Sequence, residues 1–235
     1  MLRIGSGTIL RATAAMLLFG TLACAQITGL CNTGQTRAMA SGCTGVLVAP
    51  NPSGGGPNRD GNWALAMPYP SPYGESPCEF RSFVPAWVDT PNPAWLPNSA
   101  STASEWIAPF NGAASGTQGW YAYATQFPVP AVLPGGIVPT GLTINGHLVS
   151  DNATYGIYMA NLAAGLCSPV TGLPVPINPN GGGQITAWWD FSFSNPIPIT
   201  PGSPLVLYVV VQNFPGPEVN PTGLRIEFFD TSAFN

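Results

Sequence analysis

The sequence predicts an all-β fold, an antiparallel sandwich of jelly-roll type, and three observations carry that expectation. Short apolar or alternating runs recur along the chain, 28 glycines and 27 prolines punctuate them, and hardly any stretch has helical periodicity. The clearest run is 205–211, LVLYVVV. It is continuous, β-branched and too short for an ordinary helix, so a strand covered on both faces is expected. Residues 224–228 (LRIEF) alternate instead, with Leu224, Ile226 and Phe228 on one side and Arg225 and Glu227 on the other. That pattern predicts a strand with one wet face, and makes Glu227 an ordinary surface acid. Between the two runs, FPGPEVNPTG lacks ladder-forming amide hydrogens at its prolines and is read as a loop.

Taken from the start, Arg3 and Arg11 lie in a basic leader, residues 14–22 are mostly apolar but too short to span a bilayer, and Ala23-Cys24-Ala25 is a small-x-small cleavage signal. Residues 1–25 therefore read as a secretory signal peptide and 26–235 as a single β-sandwich domain, secreted or held at the cell surface. Leu22-Ala23-Cys24 also resembles the end of a lipobox with Thr21 in place of its usual leucine, so a lipid anchor at Cys24 is the rival reading. No second apolar stretch reaches the length of a membrane span.

Residues 27–43 carry turn chemistry at Asn32-Thr33-Gly34 and read as a hairpin or Ω-like excursion. Strands are expected at 45–49 and 63–67, followed by an extended Pro-rich loop at 68–77. Residues 80–97 hold Phe83, Trp87 and Trp95 among prolines, and 105–109 look like a strand start or tight aromatic corner. A strand is expected at 119–127, where Tyr121 and Tyr123 share a face. Residues 137–145 and 147–150 read as two strands joined at Asn145-Gly146, the most specific hairpin dipeptide in the chain. Further strands are expected at 154–159 and 184–194, the second placing Trp188, Asp190 and Ser192 opposite Trp189, Phe191 and Phe193.

Charge narrows the function classes. Charged residues make up 7% of the chain, lysine is absent, and beyond residue 25 four arginines face ten acids, a formal net charge of −6. Nucleic acid is excluded as a partner because phosphate binding needs a basic footprint. Near absence of charge also leaves edge strands without the lysines that discourage edge pairing, so self-association into a fibre or sheath is the alternative to a binding role. Four cysteines follow the leader, and in an exported chain an even count predicts two disulfides. The expected pairs are Cys31 with Cys43, closing a local hairpin, and Cys78 with Cys167, tying two insertions together. Zinc is disfavoured, since no two cysteines have CxxC spacing and His147 is the only histidine.

Several blocks in order, LCNTG, DGNWAL, AWVDTPNPAWLPNSASTASEWIAP, YAYATQF, SDNATYGIYMAN, FSFS, PGSPLVLYVVVQN and PTGLRIEF, resemble an extracellular domain common in bacterial secreted proteins of the PEP-CTERM type. The resemblance spans nearly all of residues 26–235. It implies a galactose-binding-like jelly roll associated with cell surfaces and extracellular matrix. No Pro-Glu-Pro motif, terminal apolar helix or arginine cluster follows the last expected strand, so export without that sorting tail is expected. The insertions bearing Cys78 and Cys167 also depart from the pattern.

Candidate ligand contacts follow from two kinds of chemistry. Aromatic planes stack on the apolar faces of sugars, and Tyr69, Tyr73, Trp87 and Trp95 lie in Pro-rich segments expected at the surface. Asp151-Asn152 opens the strand at 154–159, where a short carboxylate and amide can fix a turn, hydrogen-bond sugar hydroxyls or supply oxygens to a structural calcium ion. Asp60 and Asp190 are further oxygen donors, though nothing in the spacing groups them, and no cofactor is implied. A catalytic role is not expected: His147 is alone and no GxSxG elbow is present. The sequence thus predicts a non-enzymatic secreted module whose partner is a polysaccharide or cell-surface glycan, with a polysaccharide-active enzyme as the third reading.

Overall fold

A computed structural model of the chain describes residues 25–38, 42–49, 58–69, 77, 82–110, 116–171, 185–215 and 220–235. The expected leader, Tyr73 and Cys78 lie outside the described residues. Within them the strands are β1 (Ala25–Gln26), β2 (Gln35–Ala38), β3 (Gly42–Leu47), β4 (Arg59–Tyr69), β5 (Phe83–Val88), β6 (Ile107–Ala108), β7 (Gly119–Pro128), β8 (Leu142–Asp151), β9 (Ala153–Asn161), β10 (Leu166–Pro169), β11 (Trp189–Ser194), β12 (Pro204–Asn213), β13 (Gly223–Phe228) and β14 (Ala233–Phe234). None of the described helical segments is long and apolar enough to cross a membrane.

Every described strand pairing is antiparallel, as the sequence predicts. A 12-stranded sheet runs in the order β1-β14-β8-β13-β6-β5-β4-β7-β12-β9-β10, with β11 on β8, and β2-β3 form a separate ribbon. The sheet folds over on itself. One layer is β4-β7-β12-β9-β10, the other is β11-β8-β13 with β14, and short β5 and β6 carry the hydrogen bonding around the corner. Side chains from both layers meet in one core, including Trp63 and Leu65 of β4, Tyr121, Tyr123 and Phe127 of β7, and Ile144 and Leu148 of β8. Phe191 and Phe193 of β11 and Leu224 and Ile226 of β13 close it from the facing layer.

The unbroken apolar run behaves as expected. Leu205, Leu207, Val209 and Val211 enter the core, while Val206, Tyr208 and Val210 are buried on the other face with Ala124, Ala160, Ala122 and Trp120. Each such large apolar burial is worth roughly 1.5–3 kcal/mol. The β2-β3 ribbon is tied by the expected Cys31–Cys43 disulfide. Cys167, on β10, is also disulfide-bonded; its expected partner, Cys78, lies outside the described residues.

Two expectations fail. Asn145-Gly146 is not a turn, because β8 runs straight through it and pairs with β11 and β13 on either side. Glycine is required there by close approach: a Cβ at Gly146 would strike the Glu227 carbonyl and come within 2.8 Å of the Phe191 ring. Nor does β13 have a wet face, since Arg225 is 0% exposed and Glu227 9%. The segment between β5 and β6 lies over that face.

Candidate functional site

Cross-strand register assembles a polar row on the outer face of the β11-β8-β13 layer. His147 sits opposite Asp190 on one side and Glu227 on the other, Asn145 opposite Ser192, and Val149 opposite Arg225. Period-2 alternation puts all of them on the side away from the core. One end of the row is covered and the other is open, and the two ends have different chemistry.

At the covered end, Arg225 fastens the segment 97–104. Its Nη1 donates to the Pro97 carbonyl at 2.9 Å, and its Nη2 to the carbonyls of Asn98, Ser101 and Ser104 at 3.2, 3.2 and 3.0 Å. Nε donates to Ser104 Oγ at 2.7 Å. A planar guanidinium with five donors suits this fan of acceptors, and a flexible ammonium does not. The charge is balanced locally: Glu227 Oε1 lies 4.0 Å from Nη2 and accepts a 2.6 Å hydrogen bond from Ser104 Oγ. Burial alone would raise the Glu227 carboxyl. Hydrogen bonds from His147, Ser101 and Ser104 outweigh it and hold the pKa down to about 2. Burial lowers the Arg225 pKa, opposed by Glu227 and Glu105. Trp95, Trp106 and Val149 pack together beside this cluster, with Trp188 partly buried against them.

His147 links the two ends. Its Nε2 lies 3.0 Å from Glu227 Oε2, and an ionised carboxylate only accepts, so this nitrogen carries the hydrogen. The ring is stacked on Trp188, centroids 3.9 Å apart, with Phe229 edge-on at 5.1 Å. The remaining nitrogen, Nδ1, faces Asp190 Oδ1 at 3.7 Å, beyond hydrogen-bond range, and the Asp190 side chain is 81% exposed.

The open end is a shallow cleft of about 540 Å³ lined by Asn145, Asp190, Phe191, Ser192, Phe229 and Thr231. Asn145 organises it. Its Nδ2 donates to the carbonyl and hydroxyl of Thr231, both at 3.1 Å, and its Oδ1 accepts from Ser192 at 2.6 Å. The residue expected to form a hairpin turn instead pins the turn after β13 to β11. Asp190 and Ser192 line the cleft beside the half-exposed Phe229 ring. Donors and acceptors next to an aromatic plane can hold a hydroxyl-rich ligand.

The expected site residues lie elsewhere. Trp95 is 3% exposed, not a surface ring, and its Nε1 donates to Asp151 Oδ2 at 2.6 Å. Asp151 and Asn152 are buried too. Asn152 Nδ2 donates to Asp151 Oδ1 at 2.5 Å, and its Oδ1 accepts from Phe214 N and Asn220 Nδ2 at 2.7 and 2.8 Å. Thr222 donates to the Asp151 carbonyl at 2.6 Å. The pair locks neighbouring loops together, and burial pushes the Asp151 carboxyl up to about 6 against the Trp95 and Asn152 hydrogen bonds. Trp87 is half-buried on β5 with the Arg59 guanidinium 3.9 Å above its ring. Tyr69 closes β4, its backbone paired with Trp120.

Asp60, a candidate oxygen donor for calcium, is 1% exposed and accepts from the backbone amides of Gly34, Asn62 and Trp63 at 2.6, 2.7 and 3.0 Å. Burial nonetheless raises it to about 6. It is not joined by Asp190, and no group of three or more His, Cys, Asp or Glu side chains suited to a metal ion occurs among the described residues. Asn145, His147, Ser192, Phe229 and Thr231 were missed as a site. The one available signal was the alternation that puts Asp190 and Ser192 outside the core. No known protein family, curated protein or solved structure matches this chain.

Proposed function

We propose that this protein is an exported β-sandwich module that works at the cell surface or in extracellular matrix by binding glycan, without catalysing a reaction. The observation that carries the reading is the open cleft on the outer face of β8 and β11, where Asp190, Ser192 and Thr231 flank the exposed Phe229 ring. Hydroxyl-rich ligands need this pairing of an apolar plane with short polar side chains. The Cys31–Cys43 disulfide and the scarcity of charge support an oxidising, extracytoplasmic setting. The galactose-binding-like jelly-roll kinship implied by the ordered sequence blocks belongs to the same proposal.

The arrangement favours binding over hydrolysis. Ser104 donates to the Glu227 carboxylate and not to the His147 imidazole, accepts from Arg225, and is 0% exposed, so its hydroxyl is closed off from a substrate. Glu227 is held ionised behind His147, and so cannot serve as the proton donor of a carboxylate pair. The test is a glycan array and titration calorimetry on the purified chain, with Phe229→Ala and Asp190→Ala as controls. Binding to at least one polysaccharide, weakened about tenfold or more by either substitution, is expected. An absence of binding across the array, or binding indifferent to both substitutions, would sink the proposal.

A further inference from the structure

Cross-strand register brings three connections to one end of the sandwich. Pro128 at the close of β7 lies opposite Pro204 at the start of β12, and Leu205 lies opposite Asn161, the last residue of β9. Asn161 in turn faces Leu166 of β10. The loop 129–141, the turn 200–203 and the β9-β10 tip at 162–165 therefore project from the same end. None of the three contains an Asp, Glu, Lys or Arg. Nine large apolar side chains are exposed among the described residues, and five of them stand here: Val132, Ile137, Val138, Leu162 and Leu166, each between 40% and 57% exposed. A single exposed valine is ordinary, whereas a group of such side chains on projecting loops marks a contact surface.

The longer loop is built to hold its side chains out. Leu133 N donates to the Ile137 carbonyl at 2.7 Å and Gly136 N to the Leu133 carbonyl at 3.0 Å, across a turn whose Gly135 and Gly136 have φ of +84° and +80°. Its base is tied down: Val129 N donates to the Ser203 carbonyl at 3.2 Å, Gly202 N to the Val129 carbonyl at 3.1 Å, and Thr140 N and Gly141 N to the Asn235 carbonyl, both at 2.9 Å. A loop fixed in this way spends little ordering entropy on contact. The chain also enters at this end. Ala25 pairs with Phe234, which with Thr28, Pro128, Pro130 and Pro134 walls a depression of about 140 Å³ at the foot of the loop. The mostly apolar stretch 14–22, read as part of a secretory leader, ends three residues before Ala25, within roughly 11 Å at full extension.

We infer that this end of the sandwich is a lipid-contact surface: the loop 129–141 and the β9-β10 tip dip their five apolar side chains into the interface of a bilayer without spanning it. Export through a membrane delivers the sandwich with these loops beside the lipid, because the leader joins the fold next to them. A second copy of the chain fits less well. A stable dimer takes roughly 20–30 residues a side in one continuous surface, which five side chains on two loops do not supply. A bilayer asks for no complementary shape, since each apolar side chain that leaves water contributes by itself.

Co-sedimentation of the exported chain with phosphatidylcholine vesicles, with and without phosphatidylglycerol, tests the inference. Binding to the neutral vesicles is expected. Val132→Asp combined with Ile137→Asp should weaken it about tenfold or more. Leu162→Asp, on the other loop, should weaken it too, and supplies an independent variant should the first pair disturb the loop's base. Val84→Asp, at an exposed apolar position opposite Leu65 in the middle of the sheet, should leave binding unchanged, with near-ultraviolet circular dichroism confirming that each variant folds. Binding to neither vesicle, binding that requires phosphatidylglycerol, or binding indifferent to both loop variants overturns the inference. Sedimentation velocity on the same proteins covers the rival: self-association that grows with concentration and is lost in the loop variants, in place of vesicle binding, assigns this end to a second copy and overturns the lipid reading. Each of these outcomes leaves glycan binding at Phe229 untouched.

Discussion

Arg225 shows how much one side chain can organise. Its three nitrogens reach four backbone carbonyls and one hydroxyl of the segment 97–104, so a stretch that is mostly irregular is held against β13 by directed bonds. Arg225→Lys keeps the charge but loses the planar fan, leaving buried carbonyls without donors. A loss of about 2–4 kcal/mol in urea unfolding is expected, and a change within about 0.5 kcal/mol would show that the fan is not needed. Asp151 plays a related part just beyond Arg225, at the same covered end of the row. It was expected to face a ligand, and instead it accepts the indole hydrogen of Trp95 in the interior. Sequence alone shows an acid and a ring far apart in the chain. Whether they meet is a tertiary matter.

At the scale of the element, β8 is the centre of the site because β11 flanks one side of it and β13 the other. Its Asn-Gly pair has strong local preference for a two-residue turn, and tertiary packing overrides it. Asn145 gains three side-chain hydrogen bonds in the strand, and Gly146 leaves room for the Phe191 ring and the Glu227 carbonyl. Gly146→Ala should therefore lose about 1–3 kcal/mol, as overpacking does, and should disturb the β11 side of the cleft along with stability. Calorimetry showing an unchanged unfolding temperature would contradict the close approach. By contrast, β12 was legible in full, since an uninterrupted apolar run has one interpretation once both faces are buried. β5 and β10 were not. Prolines and small residues obscure their period, and their pairing depends on neighbours distant in sequence.

At the scale of the whole molecule, three of the described buried carboxyl groups make stability respond to pH in opposite senses. Asp60 and Asp151 are raised to about 6 by burial, so the folded chain binds their protons more tightly than the unfolded chain does. Their stabilising contribution is complete below about pH 4 and is lost as pH rises through about 6. Glu227 has the opposite sign: held down to about 2, it contributes above about pH 4.5, and that contribution is lost as pH falls towards 2. Urea unfolding across pH should thus give greatest stability near pH 4, with a decline towards pH 7 worth up to about 3 kcal/mol per aspartate. Asp60→Asn should flatten part of that decline. A flat profile between about pH 5 and 7 would contradict the burial of these two groups.

The strand-rich class, the double-faced burial of β12, the outward placement of Asp190 and Ser192 and the Cys31–Cys43 pairing were all determined by residue order, because each depends on local period or short chain separation. The covering of Arg225 and Glu227, the straight passage of β8 through Asn145-Gly146 and the meeting of His147, Trp188 and Phe229 were decided only when the sheet folded over and its connections crossed its face. Alternation specifies which side of a strand a residue occupies. It carries no information about what another part of the chain will lay on that side.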